Sequence, residues 1–136
     1  MNVDAILLSE AATLSVDNRL SVLNVFNAMT TTQFPATLPF MALSLIVHAH
    51  HSEGGTTHKL DIKVLNEKRE IVAEVMKGFS FVFSDKTPTP GVPLRYTLVH
   101  GMMNVQFAAP GSYAFEVFID GTYAAGTAFH VGQSAS

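Results

Sequence analysis

The chain has 136 residues, which is enough for one domain that buries roughly two-thirds of the surface its unfolded form exposes. It contains no cysteine, so disulfides and thiolate metal sites are excluded. Its formal net charge of -3 provides no basic surface for nucleic acid or for an anionic membrane, and we expect neither as a partner.

Charged residues are scarce and unevenly placed. Asp, Glu, Lys and Arg make up 14% of the chain, where about 25% is ordinary, and none lies between Arg19 and Glu53. Polar residues and Pro35 and Pro39 interrupt this stretch, so it does not resemble a membrane span. We expect a homo-oligomer or a fixed protein partner to cover apolar surface. The alternative is a monomer whose exposed positions are Thr, Ser, Asn and Gln.

The first segment has no signal-peptide character. Asp4 stands where a basic region would be needed, so we expect a cytoplasmic protein. Residues 3–14 are compatible with a helix or a strand. We favour a strand, because the β-rich residues 20–26 follow and Asp17-Asn18 suits a tight hairpin between the two segments.

The next segments set the domain organisation. Residues 27–39 are irregular and suit a crossover between sheets. We expect a single domain over residues 1–131 and a disordered tail over residues 132–136.

A hairpin around Gly54-Gly55 is predicted in the middle of the chain, between residues 41–51 and 57–66. Its register places three pairs of apolar side chains on one face: Leu45 with Val64, Val47 with Ile62, and Ala49 with Leu60. The other face then pairs two histidines with charged residues: His48 with Asp61, and His50 with Lys59. A one-residue slip would send half of the apolar set to solvent.

The following segments alternate strands and breaks. Residues 67–69 suit a turn, Gly78 suits a bulge, and the three residues Phe79, Phe81 and Phe83 are expected to anchor a core layer. Residues 85–93 are proline-rich and predict a loop. Strand character returns at residues 94–107.

The last hairpin has two possible registers. A two-residue turn at Asp120-Gly121 would face small residues inward, whereas a three-residue loop with a glycine bulge brings Phe129 and Val131 inside. We favour the bulged form, because it buries more apolar area. Seven or eight short strands with turns at this spacing predict an all-β fold, an antiparallel β-sandwich.

Two resemblances support this fold. The run from Pro110 to Phe115 resembles the turn and tyrosine corner of immunoglobulin-like sandwiches, although the absence of Cys and Trp argues against an antibody-type domain. The segments VDAILLSEAATL, RLSVLNVFNAMTTTQFPA and VQFAAPGSYAFEVFIDG together resemble a family of small bacterial proteins of unassigned function. This second resemblance implies an intracellular β-sandwich and brings no catalytic residues with it.

Six histidines are the chemical signal of the sequence. In the predicted middle hairpin His51 and His58 form a cross-strand pair, and two imidazoles at that spacing could share a metal ion, with Glu53 or His130 as a third ligand. The alternative is two polar residues at a hairpin tip.

A second histidine pattern is His48 and His50, two residues apart. Together with Glu53, His100 and Asn104 it loosely resembles the ligand pattern of cupins, but Glu53 follows too soon and the expected glycines are missing. We therefore favour a non-enzymatic assembly protein without a cofactor, and keep a histidine metal site as the alternative.

Overall fold

The computed structural model describes residues 1–83 and 91–135, which form nine strands and one short 3₁₀ helix. The strands are β1 Asn2–Leu14, β2 Leu20–Val25, β3 Ala28–Thr31, β4 Ala36–Ala49, β5 Thr57–Leu65, β6 Ile71–Val82, β7 Leu94–Phe107, β8 Gly111–Ile119 and β9 Thr122–Gln133. The 3₁₀ helix, His51–Glu53, lies between β4 and β5. Residues 84–90, which hold most of the predicted loop 85–93, lie outside the described residues.

The strands form two sheets packed face to face. One has the order β2-β1-β4-β7 and the other β3-β9-β8-β5-β6. The predicted all-β sandwich is confirmed, with nine strands instead of seven or eight. One pair, β3 with β9, is parallel, so the sheets are not antiparallel throughout. The ambiguous residues 3–14 lie in β1, which pairs with both β2 and β4.

A crossover between the sheets lies within residues 27–39 as predicted, but the segment is more regular than expected, because residues 28–31 form β3 and β4 begins at Ala36. After β2 the chain leaves the first sheet, forms β3 along β9 in the second sheet, and returns to the first as β4. β9 continues to Gln133, which pairs with Thr31, so the strand runs two residues into the segment for which a disordered tail is expected.

The core is filled by alternate side chains of both sheets. In β4 the inward positions are fully buried from Met41 to Ala49. In the second sheet Phe115, Phe129 and Val117 are equally inaccessible. Each such side chain contributes about 1.5–3 kcal/mol when it leaves water, so this two-sided layer is the main stabilising element of the fold.

The predicted hairpin between β4 and β5 is wrong. These strands lie in different sheets, and β5 pairs with β6 and β8. The six apolar side chains of the predicted register are all buried, but they meet across the core from opposite sheets. Alternation determines which side chains face inward, and a hairpin and an arch between sheets satisfy it equally.

The 3₁₀ helix makes this arch. The His50 side chain accepts a hydrogen bond from the Ser52 N–H at 3.2 Å, and the His50 N–H donates to Glu53 Oε2 at 2.9 Å. This reciprocal cap also holds the pKa of Glu53 below its ordinary value, chiefly through the His50 N–H. The predicted pairs His48 with Asp61 and His50 with Lys59 therefore do not form.

The last hairpin combines the two predicted registers. Its turn has only two residues, Asp120 and Gly121, both with positive φ, so the predicted three-residue loop is wrong. A bulge within β9 then shifts the register between Phe118 and Val117. Phe129 and Val131 are buried, as the bulged form predicts, because the extra residue lies in the strand instead of the turn.

The β5–β6 turn and the bulge at Gly78 lie where the sequence predicts them. Arg69 has a φ of 64° in the turn, and Gly78 has a φ of 65° where the β5–β6 register shifts. Phe81 and Phe83 are buried, but Phe79 is 38% exposed, so the predicted layer of three phenylalanines contains two of them.

A tyrosine hydrogen bond fixes the entry into β8. The Tyr113 hydroxyl donates to the Ala109 carbonyl at 2.6 Å, and the ring contacts Phe107 with a centroid distance of 4.8 Å. A buried tyrosine that bonds to the backbone a few residues upstream is the arrangement of a tyrosine corner. It locks the β7–β8 connection against the end of the core.

Removing this hydroxyl should destabilise the protein. We expect Tyr113→Phe to lower the free energy of unfolding by about 1 kcal/mol, because the Ala109 carbonyl loses its donor. Urea unfolding followed by circular dichroism measures the change. The matched control is Tyr123→Phe at an exposed tyrosine of the same sheet, for which we expect no change. Equal midpoints for the two variants would contradict this role.

Candidate functional site

The two histidines of the predicted metal pair lie on different elements. His51 belongs to the 3₁₀ helix and its ring packs on that of His50, with centroids 4.1 Å apart. His58 lies in β5, opposite Phe81 of β6. The predicted cross-strand pair of His51 and His58 is wrong, because β4 and β5 do not pair.

His58 is a buried histidine held by an aspartate. Its Nδ1 lies 2.7 Å from Asp120 Oδ2, and its ring packs between Phe81 and Phe83. A carboxylate only accepts hydrogen bonds, so Nδ1 carries the proton. The Nε2 atom is buried and has no hydrogen-bond partner among the described residues. This arrangement ties β5 to the β8–β9 turn.

The Asp120 carboxylate is bound by His58 through one oxygen and by the Lys59 backbone through the other. Its second oxygen accepts the Lys59 N–H at 2.9 Å, and its own N–H donates to the Lys59 carbonyl at 2.8 Å. The hydrogen bond from His58, followed by that from the Lys59 N–H, lowers the pKa of Asp120. The carboxylate form is thus favoured in the folded protein.

The remaining histidines are distributed over several surfaces. His48 Nδ1 lies 2.5 Å from Asp4 Oδ1, and His130 Nδ1 lies 2.7 Å from Ser112 Oγ. His100 Nε2 donates to the Val75 carbonyl at 3.0 Å. His48 pairs with Arg95 on the outer side of its sheet, whereas His100 pairs with Leu43 on the core side. The cupin-like pattern is therefore not assembled.

A cavity of about 500 Å³ gathers part of the histidine set at one end of the sandwich. It is lined by His48, His50, His51 and Glu53, among others. Within residues 1–83 and 91–135 no three His, Asp or Glu side chains are grouped so that they could hold a metal ion. Metal binding by His51 and His58, or by His48 and His50, stays a prediction.

Asp120→Asn should make stability less dependent on pH. Because the pKa of Asp120 is lowered on folding, its contribution is complete above the carboxyl's unfolded pKa of about 3.9 and is lost as the pH falls through the lower folded value. We expect the variant to be less stable than the parent at pH 7 and the difference to shrink below pH 4. Thermal unfolding between pH 2 and pH 7 measures this.

Asparagine suits this test because it tolerates the positive φ of position 120, so the turn is kept. Glu74→Gln, at an exposed acid of β6 in the same sheet, is a control for general charge removal. A stability difference that is constant over the whole pH range would contradict the linkage.

The outward side of the first sheet is the second candidate site, and we call it the apolar face. Strand pairing defines it as rows that cross the sheet. One row runs through Val25, Ser9, Ala42 and Gly101; neighbouring rows contain Leu23, Ala11, Phe40 and Met103, then Leu7, Ser44 and Val99, then Ala5, Ile46 and Thr97. These side chains are apolar or small and uncharged.

Large side chains protrude from one end of the apolar face. Met103 is 76% exposed, Leu23 59%, Val25 55% and Phe40 44%. Among the described residues, formal charges stand only at its borders. Asp4 and Arg95 lie beside His48 at one end, and Asp17 forms an ion pair with Arg19 at 3.1 Å in the β1–β2 turn at the other.

The outward side of the second sheet, which we call the charged face, is different. Its outward positions in β5, β6 and β8 include Lys59, Asp61, Lys63, Glu74 and Glu116. Arg69 adds a two-pronged ion pair to Glu116, with distances of 2.7 and 2.9 Å. The hydrogen bond to Glu116 raises the pKa of Arg69. This face mixes charged side chains with exposed apolar ones such as Val82, which is 43% exposed.

The centre of the apolar face is closely packed. The Phe40 ring covers Gly101, where a Cβ atom would lie 3.1 Å from Phe40 Cε2. Ser9 and Ser44 are both buried there, but only the Ser9 hydroxyl has a partner, the Ala11 carbonyl at 2.9 Å. The Ser44 Oγ has none among the described residues.

These two serines provide a paired test. Ser44→Ala should leave the free energy of unfolding unchanged or raise it by up to about 1 kcal/mol, because it removes an unpartnered polar atom. Ser9→Ala should lower it by about 1 kcal/mol, because a hydrogen bond is lost. Urea unfolding measures both. A destabilised Ser44→Ala would show that its hydroxyl has a partner.

The sequence signals this face only indirectly. The charge-free run from Leu20 to Ser52 contains β2 and β4, and it motivates the predicted self-association. Leu7 and Met103 belong to β1 and β7, and periodicity does not place them beside β4. Their contribution depends on the strand order of the sheet.

The described fold and surface define an all-β protein of two packed sheets with one apolar and one charged outer face. Residues 4–132 match the sequence model of a protein family described as "Family of unknown function (DUF6941)", and the chain belongs to this family. The resemblance to a family of unassigned function is confirmed. No curated protein matches the chain. Within the described residues, no helix is both long and apolar enough to cross a membrane.

Proposed function

We propose that this protein is non-enzymatic and works by self-association, with two copies packed through their apolar faces. The observation that carries the proposal is the difference between the two outer faces of one sandwich. One exposes Met103, Leu23 and Val25, and the other carries charged side chains on three strands. The charged face has the composition expected of a sheet surface that stays in contact with water, and the apolar face does not.

The dimensions of the apolar face set the size of the proposed contact. Four strands are about 19 Å wide, and the outward positions from Phe40 to His48 are about 26 Å long. This footprint is about 500 Å², so a contact between two such faces is smaller than the roughly 800 Å² that each partner buries in a standard interface. Exposed apolar patches of this extent usually mark protein contacts.

A second copy fits the apolar face electrostatically. The charges at each border come in opposite pairs, Asp4 with Arg95 and Asp17 with Arg19. A two-fold axis that lies in the plane of the interface and runs parallel to the strands exchanges the two flanks of β4, so that Asp4 in β1 of one copy lies on the side of Arg95 in β7 of the other. The neutral centre then meets a neutral centre, which is the composition of obligate interfaces.

We further infer that the sandwich is immunoglobulin-like. Its support is that β1, β4 and β7 are adjacent in the order of strands A, B and E, while β9, β8, β5 and β6 follow the order G, F, C and C′. Tyr113 in β8 then occupies the tyrosine-corner position of strand F. β2 is an additional strand beside A.

A charge on the apolar face should separate the copies. We expect Val25→Glu to raise the dissociation constant at least about 100-fold, because an unpaired carboxylate would be buried in the interface. Light scattering of the eluting protein from 1 to 100 µM measures the mass. Val82→Glu is the matched control, since Val82 is an outward valine of the second sheet with a similar exposure of 43%.

Val82→Glu should keep the mass of the parent protein. A parent that is monomeric throughout this concentration range would overturn the proposal, and so would an equal loss of mass in both variants.

A further inference from the structure

The strand at one edge of the apolar face, β7, is long and regularly paired. β7 is the last strand of its sheet and is paired with β4 without interruption through ten residue pairs, from Ala49 with Leu94 to Phe40 with Met103. No strand within residues 1–83 and 91–135 pairs with its other side, which we call the open side. A regular strand with one open side presents a row of unused N–H and C=O groups to a further strand.

The other three edges of the sandwich are protected against pairing. β2 has only six residues and is distorted at Asn24, which has a φ of 54°. β3 has four residues. β6 is bulged at Gly78 and carries Glu74 and Lys77. Short length, bulges and charges are the usual devices that keep an edge unpaired.

β7 lacks these devices over most of its length. Between Tyr96 and Met103 it contains no charged residue and no proline, and its one left-handed residue, Asn104, comes afterwards. The hydrogen bond from His100 to the Val75 carbonyl fastens the strand to β6 from the core side. β7 is therefore held straight, and the N–H and C=O groups on its open side point away from β4 in the plane of the sheet.

We propose that β7 pairs with β7 of a second copy, antiparallel, around a two-fold axis perpendicular to the sheet. Self-pairing places identical sequences opposite one another, so like charges near the axis would repel. A pairing centred on Val99 sets Thr97 opposite Gly101 of the second copy and Arg95 opposite Met103 of the second copy. The two Arg95 residues are then about 26 Å apart along the strands, well beyond the screening length of about 8 Å.

This pairing deepens the proposed function. A two-fold axis perpendicular to the sheet leaves both apolar faces on the same side, so that they join into one eight-stranded surface. Two such dimers stacked through these surfaces form a tetramer with three perpendicular two-fold axes. The tetramer rests on the proposed function, whereas the edge pairing stands without it.

Hydrogen exchange of the β7 amides tests the edge directly. In an unpaired edge strand successive amides alternate, because those that point to β4 are protected and those on the open side exchange with water. Edge pairing protects both sets. We expect every amide from Tyr96 to Met103 to exchange slowly in the parent protein at 500 µM, with alternate ones at least about 100-fold faster after dilution. The amides of β6 should alternate at both concentrations.

The same measurement on Val25→Glu, combined with light scattering, separates the two interfaces. A parent tetramer that becomes a dimer with protected β7 amides supports both. If the parent is a dimer, and Val25→Glu has the same mass and equally slow exchange of the β7 amides, the result supports the edge pairing and overturns the contact between apolar faces. If the parent is a dimer, Val25→Glu is a monomer, and the exchange rates of the β7 amides alternate in both proteins, the result supports the contact between apolar faces and overturns the edge pairing. A monomeric parent with alternating amides overturns both.

Discussion

The inward layer of aliphatic and aromatic side chains between the two sheets is the interaction on which the whole structure depends. β4 supplies five inward residues in alternation, and β5 and β8 supply the opposing side. Because one face of each sheet is buried in this layer, the properties of the protein surface depend on the side chains at the outward positions. The second sheet carries charges, and the first carries small and apolar residues. The same alternation thus generates the core and the surface proposed for assembly.

The sequence predicts well those features that depend on one segment at a time. The strand over residues 3–14, the crossover over residues 27–39 and the turn before β6 follow from local composition, and the structure contains all three. The inward set from Leu45 to Val64 is also correct, because burial depends on periodicity. Tyr113 is found in its corner because the Pro110-Gly111 turn fixes the start of β8.

Features that depend on which strands become neighbours are not predicted correctly. A glycine pair between two alternating segments indicates a hairpin, yet the cap formed by His50 and Glu53 turns the chain into the other sheet. The predicted pair of His51 and His58 depends on that hairpin and is lost with it. His58 instead lies beside Asp120, which is 62 residues away in sequence, and no local pattern indicates such a partner. The apolar face could not be predicted for the same reason, because its rows join strands that are distant in sequence.

The arch at the 3₁₀ helix also affects how the chain reaches its native state. If β4 and β5 formed a hairpin, they could zip together as a local unit within microseconds. Instead β4 finds its partners in β1 and β7, and β5 finds one of its own in β8, so most of the decisive contacts close long loops. Folding rates fall as contacting residues become more distant in sequence, and sandwiches of this kind fold in milliseconds to seconds. The inward side chains of β4 and β7 are thus left uncovered in a nascent chain until β8 and β9, which end at Gln133, have been synthesised.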